Sequence, residues 1–275
     1  MTQDTSVGLE GGHRDETPQI PPAALAGLEG WEASAVWANG LEVVTWRLSA
    51  AHGAVRYLKV ARLGQEVTLV AERERMIWAV PQLPVPRVLD YGSDGAHEWL
   101  LTAGLEGVPA IDDRVLADPR RSVPLLAQGL RRVHVLAVDG CPFGSGVATM
   151  LPMVRERVAA GLVDPARDFQ PEHAGMTAAA ALTRLTQLRP SGEDLVVCHG
   201  DYCPPNVLVK EGQVVGYVDL GQLGVADRWW DVAVATWSVT WNFGPGWEDL
   251  FLATYGLPRD PQKMAFYRLL HDLCP

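Results

Sequence analysis

The sequence predicts an α+β fold with a small β-rich N-terminal lobe and a larger, mostly helical C-terminal lobe. Three observations predict it. Short runs of alternating or β-branched residues, with one helical stretch among them, fill the chain up to about residue 104. Amphipathic helical stretches dominate from about residue 120. A hairpin-like segment with polar residues at its open end interrupts them within residues 196–233.

The predicted domain boundaries follow from this change of character. Residues 1–20 are polar and contain no apolar segment, so we expect a disordered lead-in and no secretory signal. Residues 21–104 form the predicted small lobe, and residues 105–275 form the predicted large lobe. The length of 275 residues fits one large or two small domains.

The individual elements are predicted from hydrophobic periodicity and from turn residues. The predicted strands of the first lobe are residues 40–49, 54–61, about 87–91 and 98–103, and its helix is residues 66–80. The predicted helices of the second lobe are residues 120–137, 151–161, 176–188, 229–241, 246–255 and 261–273.

Composition and charge exclude several classes of protein. The net charge of −10 argues against a nucleic-acid-binding protein, which usually has a basic face. No apolar run approaches the roughly 20 residues of a membrane helix, so we expect no membrane partner. The four cysteines form no C-x-x-C pair and have no matching histidine pair. We therefore expect free thiols, no structural metal and a cytoplasmic location.

The functional prediction starts from polar residues around the predicted hairpin. Residues 207–209 and 214–218 are β-branched runs separated by KEGQ. Asn206 precedes the first strand and Asp219 follows the second, so the hairpin should bring them together. Asp201 lies one short loop before Asn206. Magnesium is bound in proteins by carboxylate and amide oxygens of this kind, with waters and substrate phosphates completing the shell.

The spacing of these residues is that of a kinase catalytic loop. His199, Asp201 and Asn206 give H-x-D-x-x-x-x-N, and Asp219 begins a following D-x-G. In this pattern Asp201 accepts the proton of the attacking hydroxyl, while Asn206 and Asp219 hold Mg²⁺. We expect His199 to brace the loop, because the transfer step needs no second acid.

Lys59 is the candidate ligand of the nucleotide phosphates. The chain has only three lysines against twenty arginines, so a lysine in an apolar strand requires a reason. Kinases place a lysine in such a strand and pair it with a glutamate on the next helix. Glu72 is the glutamate that we choose for this pairing. A surface lysine on an edge strand is the alternative.

These motifs resemble those of the aminoglycoside phosphotransferase family, which has a protein-kinase-like fold. The resemblance runs from about residue 35 and is densest in EDLVVCHGDYCPPNVLV and GYVDLGQLGVADRWWDVAVAT. It points to the branch that phosphorylates the 3′-hydroxyl of kanamycin- and neomycin-type sugars, with streptomycin 3″-kinases close behind. It implies ATP as the phosphate donor, with GTP left open, and Mg²⁺ as the metal.

The resemblance implies that residues 21–104 are the nucleotide-binding lobe and that residues 105–275 are the catalytic and substrate-binding lobe. It also implies roles for further residues. Thr102, Ala103 and Gly104 would be the strand beside adenine, and Gly40 would belong to the nucleotide loop. Arg228 and Asp231 resemble a structural ion-pair element behind the catalytic loop. The candidate ligands of a cationic acceptor are acidic residues in two segments, Asp164, Asp168, Glu172 and Asp272.

The sequence departs from the family pattern in three places. The nucleotide loop reads Asn39-Gly40-Leu41-Glu42, one residue short and without a serine. The acidic segment for the drug is thinned, and the chain ends in HDLCP in place of Asp-Glu-Phe-Phe. Five tryptophans cluster in the same part of the chain, as core residues or as an altered acceptor pocket: Trp229, Trp230, Trp237, Trp241 and Trp247.

The leading hypothesis is therefore an ATP- and Mg²⁺-dependent kinase for a hydroxyl of a small, cationic molecule, with aminoglycosides as the first acceptor class. Two alternatives remain open. One is a kinase for another metabolite or antibiotic, which the thinned acidic site favours. The other is a weakly active binding protein that kept the fold, which the short nucleotide loop favours. We expect either a monomer or a homodimer.

Overall fold

The computed structural model of the chain describes residues 19–38, 43–64 and 68–274. The chain divides into two compact units, one comprising Met1–Val80 with Val85–Leu105 and the other Pro81–Pro84 with Glu106–Pro275. The predicted α+β composition is confirmed. Among the described residues, every helix is too short or too polar to cross a lipid bilayer.

The first unit is built on a five-stranded antiparallel sheet in the order β1-β2-β3-β5-β4. Its elements are β1 (Trp31–Ala38), β2 (Val44–Ala50), β3 (Val55–Arg62), α1 (Leu69–Ala79), β4 (Val88–Ser93) and β5 (His97–Ala103). Alternate residues of β2, Val44, Trp46 and Leu48, point into one apolar core with residues of β3 and β5.

The sequence prediction misses β1. This strand lies at the edge of the sheet, and most of its side chains are exposed. Many of its apolar positions are alanines, which are depleted in strands, so its hydrophobic signal is weak. The predicted strand at residues 40–49 instead corresponds to β2, which begins at Val44. Residues 39–42, including Gly40 and the shortened nucleotide loop, lie outside the described residues.

The second unit contains eight α-helices among its described residues, together with two small sheets. Its elements are β6 (Val108–Pro109), α2 (Asp113–Leu116), α3 (Pro119–His134), α4 (Val147–Ala159), α5 (Pro165–Asp168), α6 (Ala178–Leu188), β7 (Leu195–Cys198), β8 (Val207–Lys210), β9 (Gln213–Tyr217), β10 (Gly224–Asp227), α7 (Trp229–Phe243), α8 (Glu248–Tyr255) and α9 (Pro261–Leu273). The sheets have the orders β6-β8-β9 and β7-β10.

Helix α7 is the central helix of this unit. Its first eleven residues, 229–239, are all buried, because the segment is apolar on every side. It packs against α3, α8 and α9. The predicted helices at residues 229–241, 246–255 and 261–273 are confirmed to within a few residues at their ends. The short strands β7 and β10, which the sequence prediction misses, flank the polar segment.

Helix α3 approaches the polar segment closely at Gly129. A Cβ atom at this position would lie 2.6 Å from the Tyr202 hydroxyl and 3.0 Å from Val214 Cγ2. Tyr202 donates to the carbonyl of Leu126 (2.8 Å), and Tyr217 donates to the carbonyl of Gly129 (2.9 Å). Because Gly129 has no side chain, α3 packs close enough to form a hydrogen bond with Tyr202, the residue that follows Asp201.

We expect Gly129→Ala to lower the free energy of unfolding. Overpacking of this kind costs about 1–3 kcal/mol. Alanine gains at most ~1 kcal/mol over glycine in a helix, so the overpacking dominates. Urea denaturation would measure the difference. Gly140→Ala is the matched control, because a Cβ built there would meet no described residue other than its chain neighbours within 4 Å. Equal stability of the two variants would contradict the close packing at Gly129.

Candidate active site

The β8–β9 hairpin brings Asn206 and Asp219 together, as the sequence predicts. The two strands are antiparallel, and Val207 is paired with Tyr217. Beyond this pair, the Val218 N–H donates to the carbonyl of Asn206 at 3.0 Å. Asp219 follows Val218 directly, so Asn206 and Asp219 emerge from the same end of the hairpin.

Asn206 also holds Asp201. Its Nδ2 amide donates to Asp201 Oδ2 (2.9 Å) and to the Asp201 carbonyl (3.0 Å). Both donor hydrogens of Asn206 are used in this way. Among the described residues, no hydrogen bond reaches its Oδ1 oxygen, which leaves that oxygen as a ligand for a cation.

The Asp219 backbone has an uncommon conformation. Its φ angle is +61°, in the left-handed region that residues other than glycine seldom occupy. Backbone strain of this kind concentrates at functional sites, where the surrounding structure enforces it. The Asp219 carboxylate and the Asn206 amide oxygen form the type of donor set that suits Mg²⁺. These residues therefore fit the metal that the sequence predicts.

His199 has the contacts expected of a brace. Its Nε2 atom donates to the carbonyl of Val218 (3.0 Å), and its Nδ1 atom accepts from the Asp201 N–H (3.3 Å). Both contacts require the tautomer with the proton on Nε2. The ring also packs edge-on against Tyr202. His199 thereby ties the loop of Asp201 to the chain just before Asp219.

Asp231, in the first turn of α7, fixes the backbone of the catalytic loop. Its Oδ2 accepts from the His199 N–H (2.6 Å), and its Oδ1 accepts from the Gly200 N–H (2.8 Å). Gly200 has a φ of +95°, and a Cβ there would lie 2.5 Å from the Gln222 carbonyl oxygen. Only glycine satisfies both the left-handed backbone and this close approach.

His134 completes the support of Asp231 and was missed by the sequence analysis. Its Nε2 lies 2.9 Å from Asp231 Oδ2, and its Nδ1 lies 2.7 Å from the Tyr255 hydroxyl. His134 ends α3 on the buried face that Leu130 and Val133 also occupy. In the sequence, a histidine on an otherwise apolar helix face is the feature that could have indicated this role.

The atoms of His134, Cys198 and Asp231 lie within 4.8 Å of one another, a spacing that could suit a metal. Both His134 nitrogens are already hydrogen-bonded. Burial, with added repulsion from Asp231 and Asp227, raises the pKa of the Cys198 thiol well above its usual value. The thiol also donates to the Asp227 carbonyl at 3.4 Å, so all three groups have partners within the chain and the cluster acts as a hydrogen-bonded support.

The ion pair behind the catalytic loop differs from the prediction. Among the described residues, Arg228 Nε pairs with Asp194 Oδ2 at 2.6 Å, and Arg228 Nη1 reaches the Tyr255 hydroxyl. Arg228 does not pair with Asp231. The reason is that Asp231 points inward to the His199 and Gly200 amides, whereas Arg228 precedes α7 and lies nearer the surface.

In the first unit, Lys59 and Glu72 form the predicted ion pair. Lys59 Nζ lies 2.8 Å and 3.0 Å from the two carboxylate oxygens of Glu72. Lys59 is on β3 and Glu72 is in the first turn of α1, where it is buried. A buried carboxylate requires such a partner. The role of the pair in nucleotide binding stays a prediction.

The predicted adenine segment forms the end of β5 and the residue after it. The Thr102 side chain is buried, the Ala103 N–H donates to the Arg87 carbonyl, and the Gly104 N–H donates to the Val55 carbonyl. A Cβ at Gly104 would lie 2.8 Å from the Val55 oxygen, so the segment requires glycine there.

The acidic residues predicted to bind the acceptor all have partners within the chain. Asp164 accepts from the Ala166 N–H and caps α5. Asp168 pairs with Arg167 at 2.6 Å, and Glu172 pairs with Arg268 at 3.2 Å. Asp164 and Glu172 are nevertheless exposed, and their role in acceptor binding stays a prediction.

Asp272 is not placed as the sequence predicts. Its side chain is fully buried, and Oδ2 accepts from His173 Nδ1 (2.7 Å) and from the Gln170 N–H (3.0 Å). A carboxylate enclosed in this way does not present itself to an acceptor amine. The neighbouring residue, His271, lies against the catalytic loop instead. Its Nε2 atom is 3.8 Å from Asp201 Oδ1, a contact to which the sequence analysis assigned no role.

The tryptophan cluster divides into core and surface members. Trp229, Trp230 and Trp237 are buried, whereas Trp241 is 45% exposed. The Trp237 and Trp241 rings lie 4.8 Å apart in a tilted arrangement, and Arg268 lies 5.5 Å from the Trp237 ring centroid. The core interpretation is therefore right for the first three, and Trp241 remains the candidate for acceptor contact.

We expect Asp231→Asn to lower the free energy of unfolding by about 1–3 kcal/mol or more, because the amide group replaces an acceptor and leaves at least one buried donor unpaired. Chemical denaturation would measure this free energy. Asp194→Asn is the matched control, since this partner of Arg228 is 59% exposed. It should cost less than about 1 kcal/mol. Similar losses in the two variants would contradict the support role of Asp231.

Comparison with known proteins places this geometry in a family. The model of the phosphotransferase enzyme family matches residues 36–267. An aminoglycoside 3′-phosphotransferase from Streptomyces fradiae is 40% identical over 227 residues, covering 78% of this chain and 84% of that protein.

Solved structures agree with this assignment and have the protein-kinase-like fold. An aminoglycoside-3′-phosphotransferase of type VIII is similar with a TM-score of 0.81 and 34% identity, covering 91% of this chain and 98% of that one. An aminoglycoside phosphotransferase from Streptomyces rimosus, in complex with ADP and streptomycin, has a TM-score of 0.73 and 32% identity, with coverages of 89% and 92%. The chain therefore belongs to the phosphotransferase enzyme family, as its sequence motifs predict.

Proposed function

We propose that this enzyme transfers the γ-phosphate of ATP to a hydroxyl group of an aminoglycoside, of the 3′-hydroxyl type, with Mg²⁺ as its metal. The observation that carries the proposal is the joint placement of Asp201, Asn206 and Asp219 at the open end of one hairpin. The names of the relatives, aminoglycoside 3′-phosphotransferases among them, support the acceptor class.

In this proposal Asp201 accepts the proton of the attacking hydroxyl. Burial alone would raise its pKa, but the His271 cation and the hydrogen bond from Asn206 hold the pKa of this carboxyl below its usual value. Asp201 is therefore ionised at neutral pH and able to orient a hydroxyl through a hydrogen bond. Phosphoryl transfer passes through a loose transition state, so orientation matters more than the strength of the base.

Asn206 and Asp219 are the proposed magnesium ligands, through an amide oxygen and a carboxylate. The metal, when bound, neutralises charge on the phosphates. Asn206 would thereby link the base and the metal, because its two amide hydrogens hold Asp201 while its oxygen faces away from that contact.

Nucleotide binding is assigned to residues of the first unit. Lys59, oriented by Glu72, would hold phosphate oxygens of ATP. The Thr102–Ala103–Gly104 segment would lie beside adenine, and Gly40 would belong to the phosphate loop. The reaction uses cytoplasmic ATP, so we propose a cytoplasmic enzyme, monomeric or homodimeric.

The acceptor amines would be met by Asp164, Asp168 and Glu172. The pairing of Asp168 with Arg167 and of Glu172 with Arg268 reduces the negative charge available for a polycation. The burial of Asp272 reduces it further. These pairs favour a second candidate function, a kinase for a less cationic hydroxyl compound that contacts the exposed ring of Trp241.

A coupled ADP-release assay with Mg-ATP tests the acceptor class. We expect turnover with kanamycin or neomycin, with streptomycin as the next acceptor to test.

Asp201→Asn should lower kcat by about 10²- to 10⁴-fold, the range for a lost general base, while nucleotide binding is retained. Asp139→Asn, an exposed carboxylate on a surface turn, is the matched control and should have no effect.

Two outcomes would contradict this proposal. Near-wild-type turnover by Asp201→Asn would remove Asp201 from the mechanism. Turnover of a non-aminoglycoside hydroxyl compound, with none of the aminoglycosides accepted, would replace the first candidate function by the second and leave the phosphotransfer residues assigned as above.

We expect Lys59→Ala to raise the KM for ATP by roughly 10- to 100-fold, because it removes a charge-assisted contact of about 1.5–3 kcal/mol. Initial rates at varied ATP would measure the change. Lys210→Ala is the matched control, since Lys210 is exposed and pairs with Glu106 on the surface. An unchanged KM in Lys59→Ala would show that the Lys59–Glu72 pair serves stability alone.

A further inference from the structure

His271 lies between two carboxylates at the end of α9. Its Nε2 atom is 3.8 Å from Asp201 Oδ1, and its Nδ1 atom is 4.0 Å from Asp272 Oδ1. The two ring nitrogens therefore face two different acids. One of these acids is the proposed base, and the other is buried.

The buried acid has one oxygen left for His271. Asp272 Oδ2 is occupied by His173 and by the Gln170 N–H. Asp272 Oδ1 is buried and has no hydrogen-bond partner among the described residues. An uncompensated buried carboxylate oxygen is costly, and a nearby cation offsets that cost. His271 is the positively chargeable group at this oxygen.

Aromatic walls limit the movement of the His271 ring. Trp230 is tilted against it with centroids 6.4 Å apart, and Trp237 meets it edge-on at 6.4 Å. Only 28% of the His271 side chain is exposed. Its position in the last turn of α9 also favours a cation, because the helix dipole is negative at that end.

The charges around His271 keep it protonated. Burial alone would lower its pKa, but Asp201 and Asp272 outweigh burial and raise the pKa of His271 to about 9. Of the other basic groups nearby, His173 shares Asp272 with His271 and bonds to its other carboxylate oxygen, and Arg268, which contacts Trp237, is paired with glutamates. At neutral pH His271 is therefore an imidazolium.

We propose that His271 is a positioning residue for Asp201, a tethered cation that holds the carboxylate oxygen to which Asn206 does not bond. The proposal rests on the role of Asp201 given under the proposed function. Asn206 fixes Oδ2 through a hydrogen bond of 2.9 Å, whereas His271 acts on Oδ1 through its charge, at 3.8 Å and beyond hydrogen-bond distance. A carboxylate fixed at one oxygen and attracted at the other presents a preferred direction to the attacking hydroxyl and leaves Oδ1 open to accept its proton.

The same cation bears on the choice of acceptor. An ammonium group of the acceptor placed beside Asp201 would be repelled by His271, whereas a neutral hydroxyl would not. The reacting hydroxyl is then favoured over a neighbouring amine at this position. The His271 cation lowers the basicity of Asp201. This has little effect on the rate, because the loose transition state of phosphoryl transfer depends little on the strength of the base.

The coupling between His271 and Asp201 is testable by NMR titration of the imidazole resonances in the protein without nucleotide or metal. We expect His271 to titrate near pH 9 in the wild type and at lower pH in Asp201→Asn, which removes one of its two anions. His52, exposed on a turn of the first unit, serves as an internal control. An unchanged His271 titration in Asp201→Asn would overturn the proposal.

Kinetics then test the positioning role. We expect His271→Gln to lower kcat by roughly 10- to 100-fold, the cost of a misplaced catalytic group, with the KM for ATP unchanged. His271→Lys should restore part of the loss because it keeps the cation.

Wild-type kcat should fall as pH rises through about 9, where His271 loses its proton. This alkaline limb should be absent in His271→Gln, and His52→Gln should match the wild type.

A His271→Gln enzyme that keeps the wild-type kcat and the alkaline limb would also overturn the proposal. The two experiments separate its failure from that of the proposed function. If no aminoglycoside is phosphorylated, the acceptor assignment fails, and the titration of His271 in Asp201→Asn still decides whether the two side chains are coupled.

Discussion

The placement of the catalytic loop depends on one buried carboxylate. Asp231 accepts hydrogen bonds from two consecutive backbone amides, His199 and Gly200, and from the His134 ring. Such bonds are strong in a low-dielectric interior and costly to break, so they hold the loop in one conformation. Asp201 directly follows Gly200, so its backbone is held in place by the same hydrogen bonds. The apolar helix α7 carries Asp231 and is itself locked by its neighbours.

A second constraint acts from the hairpin. Antiparallel pairing fixes the register of β8 against β9, and Asn206 and Asp219 follow from that register. His199 then joins the two constraints, because one ring nitrogen contacts the Asp201 amide and the other the carbonyl of Val218. The polar groups are therefore organised before any ligand binds, which is what catalysis by positioning requires.

The proposed acceptor side of the unit is organised by ion pairs and hydrogen bonds between its own residues. Glu172 is bound to Arg268, and Asp272 is enclosed by His173 and faces His271. A surface built in this way has fewer uncompensated anions than its acidic residues suggest. His271 forms a similar charge pair with Asp201. In our proposal this one residue both orients the base and affects which group of the acceptor can approach it.

The sequence by itself determined the hairpin, the convergence of Asn206 with Asp219, and the Lys59–Glu72 pair, because these depend on local periodicity and motif spacing. Only the tertiary structure decided contacts between distant segments. It paired Arg228 with Asp194, buried Asp272, and set His271 beside Asp201. Such contacts depend on how helices pack, and packing leaves no short-range signal in the chain. The edge strand β1 was missed for a different reason, since it is mostly exposed and rich in alanine, which gives a weak strand signal.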